Sequence, residues 1–222
     1  MRTLYHLWLN PFSRKVRIVL AEKKLEFTMK VEQVWERRSD YLALNPAGEV
    51  PVLIEPDSTV LSDSGAICEY LEEKIPNPNL LGRKAHERAE VRRLVAWFDR
   101  KFDREVSDLL INEKVMKRFL GLGEPDSGTI RAAQKNIHIH LNYITFLTDR
   151  RHWLAGEEMT LADIAAASHL SAVDYLGDVP WTKYKSASHW YSRIKSRPSF
   201  RPILTDAIPG LPAPKHYANL DF

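Results

Sequence analysis

The chain lacks the features that would tie it to a disulfide scaffold, a membrane or nucleic acid. Of its 222 residues one is cysteine, Cys68, so no intrachain disulfide can form and a reducing compartment suits the composition. No stretch approaches the roughly 18 consecutive apolar residues of a membrane-spanning helix. The start, MRTLYHLWLNPF, holds one arginine and a short apolar run that Asn10-Pro11 interrupts. It has no signal-cleavage pattern, so the expected location is the cytoplasm, without membrane insertion. Neither sign of charge dominates, since 32 basic side chains against 29 acidic ones leave +3. With no aromatic-interleaved basic stripe, no nucleic-acid partner is expected. The pair Gly121 and Gly123 follows a helical stretch and lacks the Gly-Lys of a phosphate loop. His138 and His140 are two apart on a helix and face different ways, so no metal site is expected. Cys68, inside a helix, reads as small core filler. His6, in a strand, reads as a core histidine.

What is present is an ordinary apolar share of 44%, ample for a core in one large domain or two small ones. Thr3 to Leu9 is a β-branched and aromatic run that predicts a buried first strand. Asn10-Pro11-Phe12-Ser13 breaks it. A helix follows from about Ser13 to Lys23, with Val16, Val19 and Leu20 on one face. Phe27 to Val34 predicts a second strand, and Asp40-Tyr41-Leu42 a short helical turn. Asn45-Pro46-Ala47-Gly48 is a loop, because proline fixes φ and glycine tolerates positive φ. Val50 to Ile54 is a short strand whose Pro51 removes a ladder donor. A cis Val50-Pro51 bond is one way to meet that constraint. Glu55 to Ser58 turns the chain into Thr59-Val60-Leu61. Ser62-Asp63-Ser64 then opens a helix carrying Ile67, Tyr70 and Leu71, and such a helix start is an anion site. The order of elements suits a sheet whose first two strands are parallel.

Proline-rich 77–84 reads as a linker between a domain over 1–76 and another over 85–206. Beyond it the pattern is helical. Val91, Leu94, Val95, Phe98, Phe102 and Val106 fall on one helical face from Ala85 to Val106. A second long helix covers about Thr129 to Thr148. Thr160-Leu161-Ala162-Asp163 has the form of a capping box, with Met159 and Ile164 at the staple positions. The helix after it is nearly free of charge and is expected to be buried. A final helix covers about Tyr184 to Ser196. The extension 207–222 holds Pro209, Pro212 and Pro214, which favour extended chain. It reads equally as a strap and as a recognition segment, with Tyr217, Leu220 and Phe222 as candidate partner anchors. Trp35, in a charged loop, has three uses open to it: covering a ligand edge, packing in a dimer, or anchoring a partner.

The string NPAGEVPVL, the D-S-x-A-I-x-x-Y-L helix entry and the string WLAGEEMTLADIAAA closely resemble the glutathione transferases over residues 3–204. The resemblance implies an α/β thioredoxin-like N-terminal domain followed by an all-α helical-bundle C-terminal domain. It implies glutathione as co-substrate, a small electrophile held between the domains, and a homodimer. Matched residue by residue, Val50 before Pro51 would pair with the cysteinyl part of glutathione. Asp63 and Ser64 would hold its γ-glutamyl group. The family's thiol-activating Ser or Cys falls on Asn10, which cannot form a mixed disulfide but can still donate to a thiolate. Ser13 is the nearest hydroxyl, with helix capping as its other use, and Tyr5 a third candidate. The main expectation is conjugation of glutathione to an electrophile. The alternative rests on the N-P-F-S junction, the Trp35 loop and the ending PAPKHYANLDF. These are similar to a bacterial subgroup of transferase-like division proteins that bind FtsZ filaments.

Overall fold

The computed structural model describes residues 1–220. Phe222, one of the candidate anchors, lies outside them. The chain divides between Leu80 and Leu81 into two compact units.

In the first unit β1 (Arg2–His6) buries Leu4 and His6 by alternation. It is followed by α1 (Pro11–Glu22), β2 (Phe27–Val31), α2 (Ser39–Leu44), β3 (Val52–Ile54), β4 (Val60–Ser62) and α3 (Ser64–Lys74). The four strands form one sheet in the order β2-β1-β3-β4. β1 and β2 are parallel, with Leu4 opposite Met29, as the crossover through α1 requires. β3 runs antiparallel to both neighbours, with Leu53 opposite Leu4 on one side and Leu61 on the other. Tyr41 and Leu44 of α2 pack on Tyr5, Leu7 and Val52, so α2 covers one face of the sheet. α1 and α3 pack on each other. Lys23, at the end of α1, is buried and donates to Glu72 Oε2 (2.7 Å) and to the carbonyls of Ile75 and Pro78. The other oxygen of Glu72 accepts from the Leu80 N–H (3.0 Å), so this ion pair fixes the proline-rich stretch after α3.

Two boundaries differ from the sequence reading. α1 starts two residues earlier than Ser13, because Pro11 sits comfortably at the first helical position, where no N–H is needed. β2 stops at Val31 rather than Val34. Glu32 there turns its carboxylate onto the guanidinium of Arg38 (2.7 Å), and Val34–Glu36 curls into a 3-10 turn. The Val50-Pro51 peptide is cis, and so is Asn77-Pro78, which the sequence did not signal.

The named elements of the second unit are all helices. α4 (Ala85–Ala96) runs without a break into a π-helical stretch (Trp97–Ser107). α5 (Asp108–Ile111), a second π stretch (Asn112–Met116) and α6 (Lys117–Leu120) continue the same rod. The apolar stripe read to Val106 is buried at Phe98, Phe102 and Val106 and extends to Leu110 and Val115. α7 (Ser127–Thr148), capped by Asp126, packs on the first π stretch. α8 (Leu161–Tyr175) is buried along its whole length, as its lack of charge requires. α9 (Lys185–Lys195) and α10 (Arg201–Leu204) complete the unit. Asp163 is the hub of α8. Its carboxylate accepts from the N–H groups of Leu154 and Thr160 and from Trp190 Nε1, each at 2.9 Å. The Thr160 hydroxyl faces the Ala162 N–H (3.3 Å), and the reciprocal bonds between Thr160 and Asp163 complete the capping box read from the sequence.

The segment after α10 is a strap. The Tyr175 hydroxyl donates to the Leu211 carbonyl (2.7 Å) and accepts from the Ile208 N–H (2.9 Å). His216 meets Asp174 at 2.9 Å, and Lys195 Nζ donates to the Asn219 carbonyl. Tyr217 is buried, its ring edge-on to Tyr175 (5.1 Å) and its hydroxyl on the Ile203 carbonyl (3.2 Å). This corrects its reading as a partner anchor, because the ring is committed to the chain's own interior. Leu220 stays half-buried.

Candidate functional site

Two helix starts in the first unit were expected to carry the chemistry. At the start of α1, Asn10 is the N-cap, and its Oδ1 accepts from the Ser13 N–H at 2.7 Å. Ser13 is fully buried, with its Oγ facing the Leu7 N–H (3.4 Å). Arg14, also buried, donates to the Trp8 carbonyl (2.7 Å). Ser13 therefore faces the protein interior, which corrects its reading as a thiol-activating hydroxyl. Tyr5 packs against Tyr41 (5.4 Å) under Lys30 and takes no part in the pocket below.

The start of α3 is different. Val50, Pro51, Asp63 and Ser64, far apart in the sequence, line one cavity of about 270 Å³. Asp63 holds a positive φ of 69°, an uncommon conformation for a residue other than glycine. Its Oδ1 accepts from the Gly65 N–H (2.7 Å) and the Ala66 N–H (3.1 Å). Ser64 is buried at the cavity wall. Phe12, Asn45, Glu49 and Ser62 complete the polar and aromatic lining, and the sequence reading had named none of these four as site residues. Asn45 carried a signal, as the first residue of a loop whose side chain can bond its own backbone. Its Nδ2 donates to the Glu49 carbonyl (2.8 Å), which the Tyr41 hydroxyl also reaches (2.6 Å). Gly48, at φ 69°, allows the turn, and a side chain there would press on Leu42. These contacts fix the loop that presents Glu49 and Val50. Asn10 and Ser13 are not on the cavity wall, so the two halves of the expected site are not brought together around it.

Elsewhere, Trp35 sits half-buried in its 3-10 turn. His138 meets Tyr184 (2.7 Å), while His140 lies between Trp97 Nε1 (3.1 Å) and Glu105 (3.2 Å). Burial pushes the His140 pKa down to about 4 despite Glu105 beside it. Burial likewise raises the Asp103 carboxyl to about 6, against the pull of His169. Among the described residues no cluster of His, Cys, Asp and Glu is arranged to hold a metal. No helix among them is long and apolar enough to cross a membrane.

A thioredoxin-like unit ending in a Val-cis-Pro turn and an Asp-Ser helix start, followed by an all-helical unit, defines the glutathione transferase fold. The chain belongs to the glutathione S-transferase family: the model of its N-terminal domain matches residues 11–74 and that of its C-terminal domain residues 117–198. Among its relatives is FtsZ-localized protein A of Caulobacter vibrioides, 49% identical over all of this chain and 98% of that protein. The crystal structure of a glutathione S-transferase from Rhodospirillum rubrum F11 covers both chains fully at 57% identity and a TM-score of 0.98. One from Sinorhizobium meliloti 1021 does so at 40% identity and a TM-score of 0.96.

Proposed function

We propose that this chain is a glutathione-transferase-fold protein of the bacterial cell-division type, which associates with FtsZ filaments and does not activate a thiol. The observation that carries this reading is its 49% identity, end to end, with a protein named for its localisation with FtsZ. The start of α1 supports the second half. Asn10 carries neither a hydroxyl nor a thiol, and the Ser13 hydroxyl is buried. Trp35 and Leu220 are the half-buried apolar side chains proposed to meet the filament, and a homodimer remains part of the reading. Co-sedimentation with assembled FtsZ tests it. The chain is expected in the pellet, and less of it after Trp35→Ala or Leu220→Ala with the melting temperature unchanged. Retention of the wild type in the supernatant, filaments being present, overturns it.

The cavity supports a second reading, that the fold retains a small γ-glutamyl thiol ligand such as glutathione. Val50, Pro51, Asp63 and Ser64 would hold it, and a small electrophile would be its reaction partner. Calorimetric titration with reduced glutathione is expected to give binding that Ser64→Ala abolishes. Absence of binding at several millimolar counts against a ligand site.

A further inference from the structure

Asp99, Asp103 and Ser107 stand four residues apart on the first π stretch, and all three approach the ring of His169 on α8. Ser107 Oγ lies 2.9 Å from His169 Nδ1, and Asp99 Oδ1 lies 3.3 Å from Nε2. Asp103 Oδ1 is 3.6 Å from Nδ1. One imidazole thus ties successive turns of the rod to α8. Ser107 and His169 are buried. The side chains of Asp99 and Asp103 stay 15% and 24% exposed, so protons reach the cluster from solvent. Ser-His-Asp is also the order of an activated nucleophile, but buried Ser107 offers a substrate no approach. What the cluster can exchange is a proton.

The surroundings of Asp103 favour its uncharged form. Burial acts most strongly against ionisation; His169 favours ionisation, and Asp108 and Asp99 of the same rod oppose it. The balance pushes the Asp103 carboxyl up to about 6. From α7 the neighbouring titratable group is His140, which shares the Phe102 ring with His169 but is engaged with Trp97 and Glu105. A carboxyl raised above its ordinary 3.8 keeps its proton in the fold where the unfolded chain has released it. The stability this provides is fully present below about pH 4 and is lost as pH rises through 6.

We infer that Asp99, Asp103, Ser107 and His169 form a proton-controlled clasp between the π stretch and α8, which tightens when Asp103 takes up a proton and slackens when it ionises. The clasp depends on neither functional reading above. Its test is urea unfolding of the full chain and of Asp103→Asn, whose amide is uncharged at every pH, at pH 5.0 and pH 7.5. The unfolding constant of the wild type relative to the variant is expected to rise about tenfold between the two. His140 acts in the opposite direction, but it is common to both chains and cancels. The wild type provides a second measurement that does not depend on the variant folding. By carbon-13 NMR, an aspartate carboxyl is expected to titrate near pH 6 and to move to lower pH in Asp99→Asn, which removes a like charge. A relative unfolding constant independent of pH overturns the inference. So does the absence of any aspartate titrating near pH 6 that responds to Asp99→Asn.

Discussion

The starts of α1 and α3 belong to one unit, each follows a strand, and each is capped by a short polar side chain. Their outcomes are opposite. At α1 the polar atoms turn inward: Asn10 to the Ser13 N–H, Ser13 toward the Leu7 N–H, Arg14 to the Trp8 carbonyl. At α3 the cap is made by Asp63, while Ser64 is left at the wall of a cavity. α8 in the helical unit shows the closed case in full, since Asp163 caps its helix and has its carboxylate surrounded by buried donors. The lesson is that one capping chemistry closes a helix start where the surroundings satisfy every group, and leaves a hydroxyl open to a cavity where they do not.

The comparison breaks most visibly at the two aspartates. Asp163→Ala strands three buried donors and is expected to cost about 4 kcal/mol, whereas loss of the Asp63 cap is expected to cost about 1 kcal/mol. Urea unfolding of the two variants measures the gap. Equal losses would mean that Asp63 is as structural as Asp163. The strap supplies the next test. Tyr217→Ala empties a buried ring site and is expected to cost about 3 kcal/mol, while Leu220→Ala is expected to fall within about 0.5 kcal/mol of wild type. Thermal melts of both check whether the tail is fastened where the structure has it.

The interior of the helical unit adds a pH axis. His140 keeps a pKa of about 4 in the fold against an ordinary 6.5, so the unfolded chain takes up its proton first. The stability this provides is fully present above about pH 6.5 and drains away as pH falls toward 4, by up to about 3 kcal/mol. Unfolding midpoints between pH 7 and pH 4.5 should fall for the wild type and less steeply for His140→Gln. Parallel pH profiles would deny His140 this role. The smallest effects separate the two serines. Ser13→Ala is expected to lower stability by about 1 kcal/mol with ligand binding unchanged. Ser64→Ala is expected to abolish ligand binding and leave stability within about 0.5 kcal/mol of wild type. Paired calorimetry and urea titration read both quantities.

Much of this was legible in the residues. Alternation in Thr3 to His6, the Val50-Pro51 turn and the Thr160–Asp163 box each signal their element locally, because the physics that forms them is local. The π-helical turns of Trp97–Ser107 were not, since a shift in hydrogen-bond partner leaves the apolar stripe almost unchanged. The fate of Tyr217 was undecidable from a proline-rich string, because it depends on Tyr175 and the Ile203 carbonyl, groups brought together only by α8 and α10. The inward turn of Ser13 was open for the same reason: one residue can cap a helix or face a ligand, and only its neighbours decide.

The central claim, that the start of α1 does not activate a thiol, is tested most directly by titrating the thiolate absorbance of glutathione with the protein in molar excess. The account predicts an apparent pKa at the free-thiol value of about 8.5. A protein-bound thiol ionising at or below about pH 7, and losing that shift in Asn10→Ala, would contradict it.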